Sequence, residues 1–335
     1  MGKKIISSII IGSIIGIGTF YFWASSPTIE ENSFNLIVNN EDASSENKAD
    51  TFSIITFNIG YLSGMTNNIS VDRSADLFTQ NLNKSLSLFQ QIKPDFIALQ
   101  EVDINSDRSF NTNQVSEILT HQPFRFSATV VNWNKTYVPF PYWPIRQQFG
   151  QIISGQAVLS QYPIVKNEII PMEKPVDNPF YYNAFYLDRL AQITTIKING
   201  KELVIINVHL EAFHANTRDL QVKQILKAFH TYSQNYPVIV CGDFNSTPPG
   251  AKLPYQDDHV IQTLLADSEM EMAINLEQNQ DNERANYTFN SDQPDKRLDY
   301  VFYNPKFIQI LDARVLHEAN QVSDHLPVWM RFTFR

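Results

Sequence analysis

Short apolar runs alternate with two longer segments of helical spacing, and this pattern restricts the fold more than any other feature of the chain. The helical segments are Asp76–Ile92, which Pro94 ends, and Thr217–Tyr232. The apolar runs have the length and composition of buried strands. Many strands with a few helices between them predict an α/β or α+β domain, with sheets packed together and helices outside. The runs are 52–57, 96–99, 157–159, 193–198, 203–208, 237–241, 298–302 and 328–334.

Composition excludes several classes of protein. A chain of 335 residues with 43% hydrophobic side chains can bury a large core, so it is not intrinsically disordered. The net charge of -9 argues against nonspecific nucleic-acid binding, because that binding depends on Lys and Arg that neutralise phosphates. A nuclease with a local basic groove stays possible. The single cysteine, Cys241, lies in an apolar run and is predicted to be a core residue rather than a nucleophile.

The N-terminus carries a membrane signal. Ile5–Trp23 is an uncharged run of 19 residues, close to the roughly 20 that a membrane-spanning helix needs. Lys3 and Lys4 precede it and acidic residues follow, which predicts a cytoplasmic N-terminus and an exported remainder. The small residues Ala24–Ser26 keep a cleaved signal peptide open as an alternative, in which case the protein is secreted.

These features divide the chain into three parts. Residues 1–27 are predicted to be a signal anchor or signal peptide. Residues 28–50 are polar and acidic, and they are predicted to be a linker that holds the domain off the membrane. Residues 51–335 form the folded domain, and we expect it to be a monomer.

Polar residues follow the apolar runs directly or precede them, and these residues carry the chemistry. One polar residue at a strand end is an ordinary turn or cap. Six such sites in one chain, each attached to an apolar run, indicate a shared function. They are Asn58, Glu101, His209, Asp243 with Asn245, Asp299, and Asp324 with His325.

The types of these residues fit one reaction. Glu101 is a hard oxygen ligand of the kind that Mg²⁺ prefers. Asp243 and Asn245 stand two apart, so an extended chain projects them to the same face, where one can activate a water and the other can hold a substrate oxygen. His325 needs a carboxylate partner to orient and charge it, and Asp299 is the candidate.

The ordered motifs resemble the endonuclease/exonuclease/phosphatase superfamily, which includes DNase I-like nucleases, abasic-site endonucleases, inositol polyphosphate phosphatases and neutral sphingomyelinases. Gly242–Asn245 alone is a weak signal, but the six motifs occur in the family's order. Gln156 departs from the pattern, since Asn is frequent at that position. The motifs are Thr56–Ile59, Leu99–Asp103, Asn207–Leu210, Gly242–Ser246, Arg297–Val301 and Ser323–Val328.

The resemblance implies a fold and a metal site. The fold is a four-layer α/β/β/α sandwich, DNase I-like, with two sheets packed face to face and helices outside. Here it is preceded by the transmembrane or signal segment. Glu101, helped by Asn58 and Asp324, would bind Mg²⁺ or Mn²⁺. Such an ion polarises the phosphoryl oxygen and eases departure of the leaving group.

The resemblance also implies catalytic roles. Asp243 would orient or deprotonate the attacking water. Asn245 and His209 would bind the scissile phosphate and stabilise its extra negative charge. His325, paired with Asp299, would act as a general acid/base or stabilise the pentacovalent transition state.

The substrate stays open between several classes. Two aromatic-rich stretches, Trp133–Phe149 and Phe180–Tyr186, form either a loop with its own small core or a surface that contacts lipid headgroups. We expect a metal-dependent phosphodiesterase that is tethered to a membrane and acts on a lipid headgroup or a small phosphodiester. A tethered or secreted nuclease is the alternative, and a non-catalytic binding module is a minor one. Arg189 and Arg218 are candidate phosphate contacts.

Overall fold

The computed structural model describes residues 2–39, 49–252, 259–275 and 283–335. Its helices are α1 (Gly2–Ser25), α2 (Ala75–Ile92), α3 (Gln114–His121), α4 (Phe180–Asn183), α5 (Ala215–Ser233) and α6 (Val260–Leu265). Its strands are β1 (Asn35–Asn39), β2 (Phe52–Asn58), β3 (Phe96–Asp103), β4 (Phe126–Val138), β5 (Gly150–Ser160), β6 (Ile164–Pro171), β7 (Leu190–Ile198), β8 (Lys201–His209), β9 (Val238–Asp243), β10 (Glu271–Met272), β11 (Asp299–Tyr303), β12 (Ile308–Val315) and β13 (Val328–Phe334).

The strands form two sheets. The first has the order β1-β4-β5-β3-β2-β13-β12, and the second has the order β10-β11-β9-β8-β7-β6. Most neighbours are antiparallel, but β2 pairs in parallel with β3, and β8 pairs in parallel with β9. These two parallel pairs matter for function, because the carboxyl ends of parallel strands lie at the same edge of a sheet.

Side chains alternate along the buried strands and divide the core into layers. In β8, Leu203 and Ile205 belong to the cluster between the sheets, whereas Val204, Ile206 and Val208 pack under α5 and α6. Helices α2 and α3 cover the outer face of the first sheet. This arrangement confirms the predicted four-layer α/β/β/α sandwich. Cys241 is fully buried between the sheets, as predicted.

The two long helices of the domain lie where the sequence predicts them. The Ser74 hydroxyl accepts a hydrogen bond from the Leu77 backbone N–H and caps the start of α2. Lys93 takes a left-handed conformation at the C-cap, and Pro94 follows, so α2 cannot continue. The other helix, α5, extends the predicted segment by two residues at its start and one at its end.

The segment predicted to be a linker requires a correction. Asn35–Asn39 forms β1, which pairs antiparallel with β4 at the edge of the first sheet. Its centre, Leu36–Val38, has the β-branched and aliphatic side chains that favour strands, although the polar residues around it conceal this pattern. Residues 40–48 of the predicted linker lie outside the described residues.

The N-terminal helix is the candidate membrane segment. Within the described residues one helix, Lys4–Ser25, is long and apolar enough to cross a membrane, and none of it is buried inside the protein apart from its last turn. A signal sequence has the same properties, so both predicted alternatives fit this helix.

Gly242 is a position where only glycine fits. Its φ is +145°, and a Cβ atom there would lie 1.9 Å from the carbonyl oxygen of Val208 in the neighbouring strand. We expect Gly242→Ala to lower the free energy of unfolding by about 3 kcal/mol or more, because a backbone clash adds to conformational strain. Urea denaturation measures the change.

Gly200→Ala is the matched control for this prediction. Gly200 also has a positive φ, +84°, but open space surrounds its missing Cβ. We therefore expect a loss of only about 1–2 kcal/mol from strain alone. Equal losses in the two variants would contradict the steric account of Gly242.

Candidate active site

Strand register brings the predicted site residues to one edge of the sandwich. Asn58 ends β2 opposite Gln100 of β3, so Glu101 lies just beyond it. In the second sheet, His209 at the end of β8 is level with Asp243 at the end of β9, which in turn faces Asp299 of β11. Asp324 and His325 precede β13, which runs antiparallel to β2. The structure therefore brings all eight predicted residues together.

Asp243 is the centre of a buried hydrogen-bond network. Its Oδ2 accepts from Asn58 Nδ2 at 3.0 Å, and its Oδ1 accepts from the backbone N–H of Asn245 at 2.8 Å. Asn245 is held at a φ of +47°, which turns the chain so that this bond can form. Burial raises the pKa of Asp243 above its ordinary value, although His325 nearby opposes the shift. A carboxylate with a raised pKa is a better proton acceptor.

His325 and Asp299 form an ion pair beside Asp243. His325 Nδ1 lies 2.8 Å from Asp299 Oδ2, and His325 Nε2 lies 3.7 Å from Asp243 Oδ2. Burial disfavours the charged imidazole, but the carboxylates of Asp299 and Asp243 outweigh it and hold the pKa of His325 well above its ordinary value. His325 is therefore a cation at neutral pH, as the predicted pairing requires.

The pKa of His209 is shifted in the opposite direction from that of His325. Its Nε2 lies 3.5 Å from Asp243 Oδ2 and 3.7 Å from Glu101 Oε1. Burial lowers the pKa of His209 well below its ordinary value, and the charges of Arg189 and His325 lower it further. His209 is therefore a neutral ring that can donate a hydrogen bond without carrying a charge.

Glu101 and Asp324 form the acidic side of the site. Asn67 Nδ2 lies 3.3 Å from Glu101 Oε2 and 3.2 Å from both carboxylate oxygens of Asp324, so the two carboxylates share one donor. Glu101 has a φ of +51° at a bulge in β3, which turns its side chain into the site. Burial raises the pKa of Asp324, and the nearby Glu101 charge contributes.

This acidic side fits a divalent cation. Asn67 Oδ1 is buried and has no hydrogen-bond partner, while its Nδ2 faces the two carboxylates. The two ends of an amide are interchangeable by a flip, which would turn an oxygen toward the carboxylates. Glu101, Asp324 and Asn67 would then present the hard oxygen ligands that Mg²⁺ and Mn²⁺ prefer.

A second group of side chains is also arranged to hold an ion. Asp243, Asp299 and His325 each place one potential ligand atom within 4.8 Å of the others. However, His325 Nδ1 is already paired with Asp299. The positive charge of His325 also cancels part of the negative charge that a cation would need. Glu101 and Asp324 therefore fit the predicted metal better than this group does, whereas Asn58, the third predicted ligand, uses its Oδ1 to accept from the Gly60 backbone N–H.

A polar network between the sheets holds the end of β8, which carries His209. Asn207 Oδ1 accepts from Gln100 Nε2 at 2.6 Å, and the Asn207 backbone carbonyl accepts from Gln156 Nε2 at 3.0 Å. Gln156, the residue that departs from the family pattern, therefore connects β5 to β8 two residues before His209. These contacts fix the end of β8 although they lie outside the reacting groups.

Sequence reasoning missed part of the site. Asn67 lies in a loop that no strand or motif marks, so nothing in the sequence singles it out. Glu211 and Tyr186 form a buried group with Arg189: Tyr186 Oη donates to Glu211 Oε1 at 3.0 Å and accepts from Arg189 Nη2 at 3.2 Å. Glu211 lies two residues beyond His209, the last residue of β8, so the strand-end rule that found His209 extends to it.

The two arginines proposed as phosphate contacts behave differently. Arg189 is 4% exposed and faces the cavity, and its Nε and Nη1 have no hydrogen-bond partner. Glu211 Oε2 lies 3.7 Å from Arg189 Nε and balances its charge. Arg218 is fully buried and donates from Nη1 to the backbone carbonyl of Glu211 at 2.7 Å, so it is a structural residue.

A cavity of about 850 Å³ opens onto these groups. Six of the predicted site residues line its floor, and aromatic side chains from the two aromatic-rich stretches line its walls. The floor residues are Glu101, His209, Asp243, Asn245, Asp324 and His325. Asn58 and Asp299 lie behind this floor and hold Asp243 and His325 in place.

Comparisons with known proteins agree with this architecture. The profile described as the Endonuclease/Exonuclease/phosphatase family matches residues 55–325. A search of curated proteins gives no significant match.

Solved structures with this fold share little sequence with the chain. One is an endonuclease/exonuclease/phosphatase from Beutenbergia cavernae (TM-score 0.64, 21% identity, 85% of this chain and 72% of that chain). Another is a mannosyl-6-phosphatase from Bacteroides thetaiotaomicron (TM-score 0.59, 16% identity, 84% of this chain and 100% of that chain). A third is TDP2 of D. rerio complexed with single-strand DNA product (TM-score 0.57, 15% identity, 85% of this chain and 100% of that chain). At these identities, the likeness concerns the fold.

The metal assignment predicts a specific thermal shift. Saturating Mg²⁺ or Mn²⁺ should raise the Tm, because an ion that binds only the folded state stabilises it by about 2.7 kcal/mol at a hundredfold excess over Kd. Glu101→Gln should lose most of this shift, since it removes a charged ligand. Asp299→Asn should keep it. The reverse result, a shift that survives Glu101→Gln and disappears in Asp299→Asn, would place the ion on the Asp243–Asp299–His325 group.

Proposed function

This chain belongs to the endonuclease/exonuclease/phosphatase family, and from that membership we propose that it hydrolyses a phosphodiester of a lipid headgroup or similar small molecule, with Mg²⁺ or Mn²⁺, on the exported side of a membrane. The observation that carries the proposal is the buried contact of Asp243 with a neutral His209, a charged His325 and the amide of Asn58. This group combines a proton acceptor, Asp243, with two histidines that can donate hydrogen bonds to phosphate oxygens.

Asp243 activates the attacking water in this proposal. It takes a proton from the water, the water oxygen bonds to phosphorus, and the ester P–O bond on the opposite side breaks. The departing oxygen takes a proton from solvent. Asn245 donates from Nδ2 to the Leu210 carbonyl at 3.0 Å and to Asp243 at 3.3 Å. We therefore propose that Asn245 orients Asp243, in addition to the phosphate contact predicted for it.

The two histidines stabilise the charge that develops on phosphorus. The cationic His325 lies on one side of Asp243 and offers its Nε2–H to an equatorial phosphoryl oxygen. The neutral His209 offers a second N–H from β8. Glu101 and Asp324 would hold a divalent cation, which would supply Lewis-acid polarisation of the phosphoryl oxygen. The conjunction of these groups argues against the non-catalytic binding module.

The cavity favours a lipid or a small phosphodiester over a nucleic acid. Among its described lining residues the cationic side chains that are not histidine are Arg108 and Arg189. Arg108 is paired with Asp103 at 2.8 Å, so Arg189 is left for the substrate. Single-stranded nucleic acid binding uses a basic groove that follows many phosphates. A tethered or secreted nuclease remains the second candidate, on the strength of the family and of the aromatic walls on which bases can stack.

A substrate panel tests the proposal. We expect the full chain to hydrolyse sphingomyelin or phosphatidylinositol in vesicles in the presence of Mg²⁺, and to lose this activity in EDTA. Inositol phosphates and plasmid DNA are the comparison substrates. Hydrolysis that persists in EDTA would eliminate the metal mechanism, and cleavage of plasmid DNA alone would favour the nuclease.

Asp243→Ala tests the assignment of the water-activating group. We expect kcat to fall by about 10²–10⁴ because the general base is lost, with the Tm close to that of the wild type. Asp312→Ala, which removes an exposed carboxylate on β12, is the control and should keep kcat. A large loss of Tm in Asp243→Ala would mean that Asp243 has mainly a structural role.

Arg189→Lys tests whether the unpaired guanidinium donors bind the substrate. Lysine keeps the charge but loses the planar fork that holds two oxygens at once. We expect kcat/KM to fall by about 10-fold or more, which corresponds to about 1.4 kcal/mol. Arg331→Lys, at an exposed position of β13, is the matched control and should have no effect. Equal kinetics of Arg189→Lys and the wild type would remove Arg189 from the substrate site.

A further inference from the structure

The apolar N-terminal helix is fixed to the domain beside the mouth of the cavity. The Tyr21 ring contacts the rings of Phe180 and Phe185, with centroids 6.0 and 5.9 Å away. Trp23 stacks on Tyr137 of β4 at 6.0 Å. The last turn of α1 therefore packs on both aromatic-rich stretches, although the rest of the helix is exposed.

Hydrogen bonds hold this junction in one orientation. The Ser26 hydroxyl lies 3.0 Å from the Thr136 hydroxyl, and the Thr28 backbone N–H donates to Asn134 Oδ1 at 2.8 Å. Lys135 Nζ donates to the carbonyl of Ser25 at 3.3 Å, where the helix dipole is negative. The chain therefore contacts β4 within three residues of the end of α1. The start of the predicted linker, Thr28, is therefore packed against β4.

An aromatic rim continues from this junction around the cavity mouth. We use that name for six large apolar side chains, each more than half exposed to solvent. Phe180 contacts Tyr21 of the helix on one side and Tyr181 on the other. Tyr142, Tyr181 and Phe213 also line the cavity. The rim residues are Tyr142, Trp143, Ile145, Phe180, Tyr181 and Phe213.

The rim has the chemistry of a membrane interface. Aromatic side chains favour the headgroup region of a bilayer, where an apolar ring and a polar edge are both satisfied. The helix α1 ends in Tyr21, Phe22 and Trp23, the residue types found at the headgroup level of spanning helices. Because the rim touches this same turn, a membrane that holds α1 reaches the rim as well.

We propose that the aromatic rim inserts into the headgroup region of the bilayer that holds α1, so that the cavity mouth opens onto this membrane and receives lipid phosphodiesters from it. The partner is the lipid surface. This inference rests on the proposed function for its substrate, but the contact of the rim with the membrane is independent of catalysis. The rigid junction at Ser26–Thr28 sets the angle and the depth of the rim.

Fluorescence quenching measures the contact directly. The full chain is reconstituted in phosphatidylcholine vesicles in which brominated phosphatidylcholine carries the bromines near the headgroup end of the acyl chains. We expect the emission of Trp143 to be quenched together with that of Trp23, which lies in the last turn of α1, and Trp143→Phe to lose the share that belongs to Trp143. Trp329→Phe is the matched control, because Trp329 lies on β13, away from the rim, and should leave the quenched part unchanged. Equal quenching in Trp143→Phe and the wild type would overturn the proposal.

Kinetics with a vesicle-borne and a soluble substrate distinguishes an effect of the rim on membrane contact from an effect on the chemical step. We expect Trp143→Ser combined with Phe180→Ser to lower hydrolysis of a vesicle-borne lipid substrate by at least about 10-fold, with unchanged hydrolysis of soluble bis(4-nitrophenyl) phosphate. Neither side chain lines the cavity. Leu311→Ser, an exposed apolar residue on β12, is the control and should affect neither substrate. Equal lipid hydrolysis by the rim variant and the wild type would contradict the proposal.

The failure of this inference and that of the proposed function give different results. If the wild type hydrolyses lipid but Trp143 is not quenched, the rim does not contact the membrane and the proposed function stands. If Trp143 is quenched but no phosphodiester is hydrolysed, the rim contacts the membrane and the proposed function is wrong.

Discussion

The side-chain amide of Asn58 joins the two sheets at the edge that carries the candidate active site. Its Nδ2 donates to Glu101 Oε1 of the same sheet at 3.1 Å and to Asp243 Oδ2 of the opposing sheet at 3.0 Å. Its Oδ1 accepts from the Gly60 backbone N–H, which fixes the orientation of the amide. Two carboxylates repel each other, and a donor shared between them lets both stay near one point. Asn58 therefore links Glu101, a predicted metal ligand, to Asp243, the residue proposed to activate water.

Around this shared amide, the two histidines differ in charge although both are buried. His325 is paired with Asp299 and is protonated, whereas His209 is near Arg189 and is neutral. A cation and a neutral donor can therefore face the same phosphate without adding two positive charges to the cavity floor.

The sequence predicts the catalytic edge well because its residues are attached to strands. Asp243 and Asn245 follow an apolar run, and parallel pairing of β8 with β9 brings His209 level with them. Asn67 could not be predicted, because its loop reaches the carboxylates only through long-range packing. The strand β1 and the docking of α1 were missed for the same reason: both depend on contacts with β4, more than 85 residues away in the chain.

The most direct test of the account is a single turnover of bis(4-nitrophenyl) phosphate in H₂¹⁸O, with enzyme in excess. If Asp243 activates a water that attacks phosphorus, one ¹⁸O atom appears in the 4-nitrophenyl phosphate and none appears in the 4-nitrophenol or in the protein. Label in the 4-nitrophenol would mean attack on carbon. Label in the side-chain carboxylate of Asp243 would mean that this residue is itself the nucleophile, and either result would contradict the account.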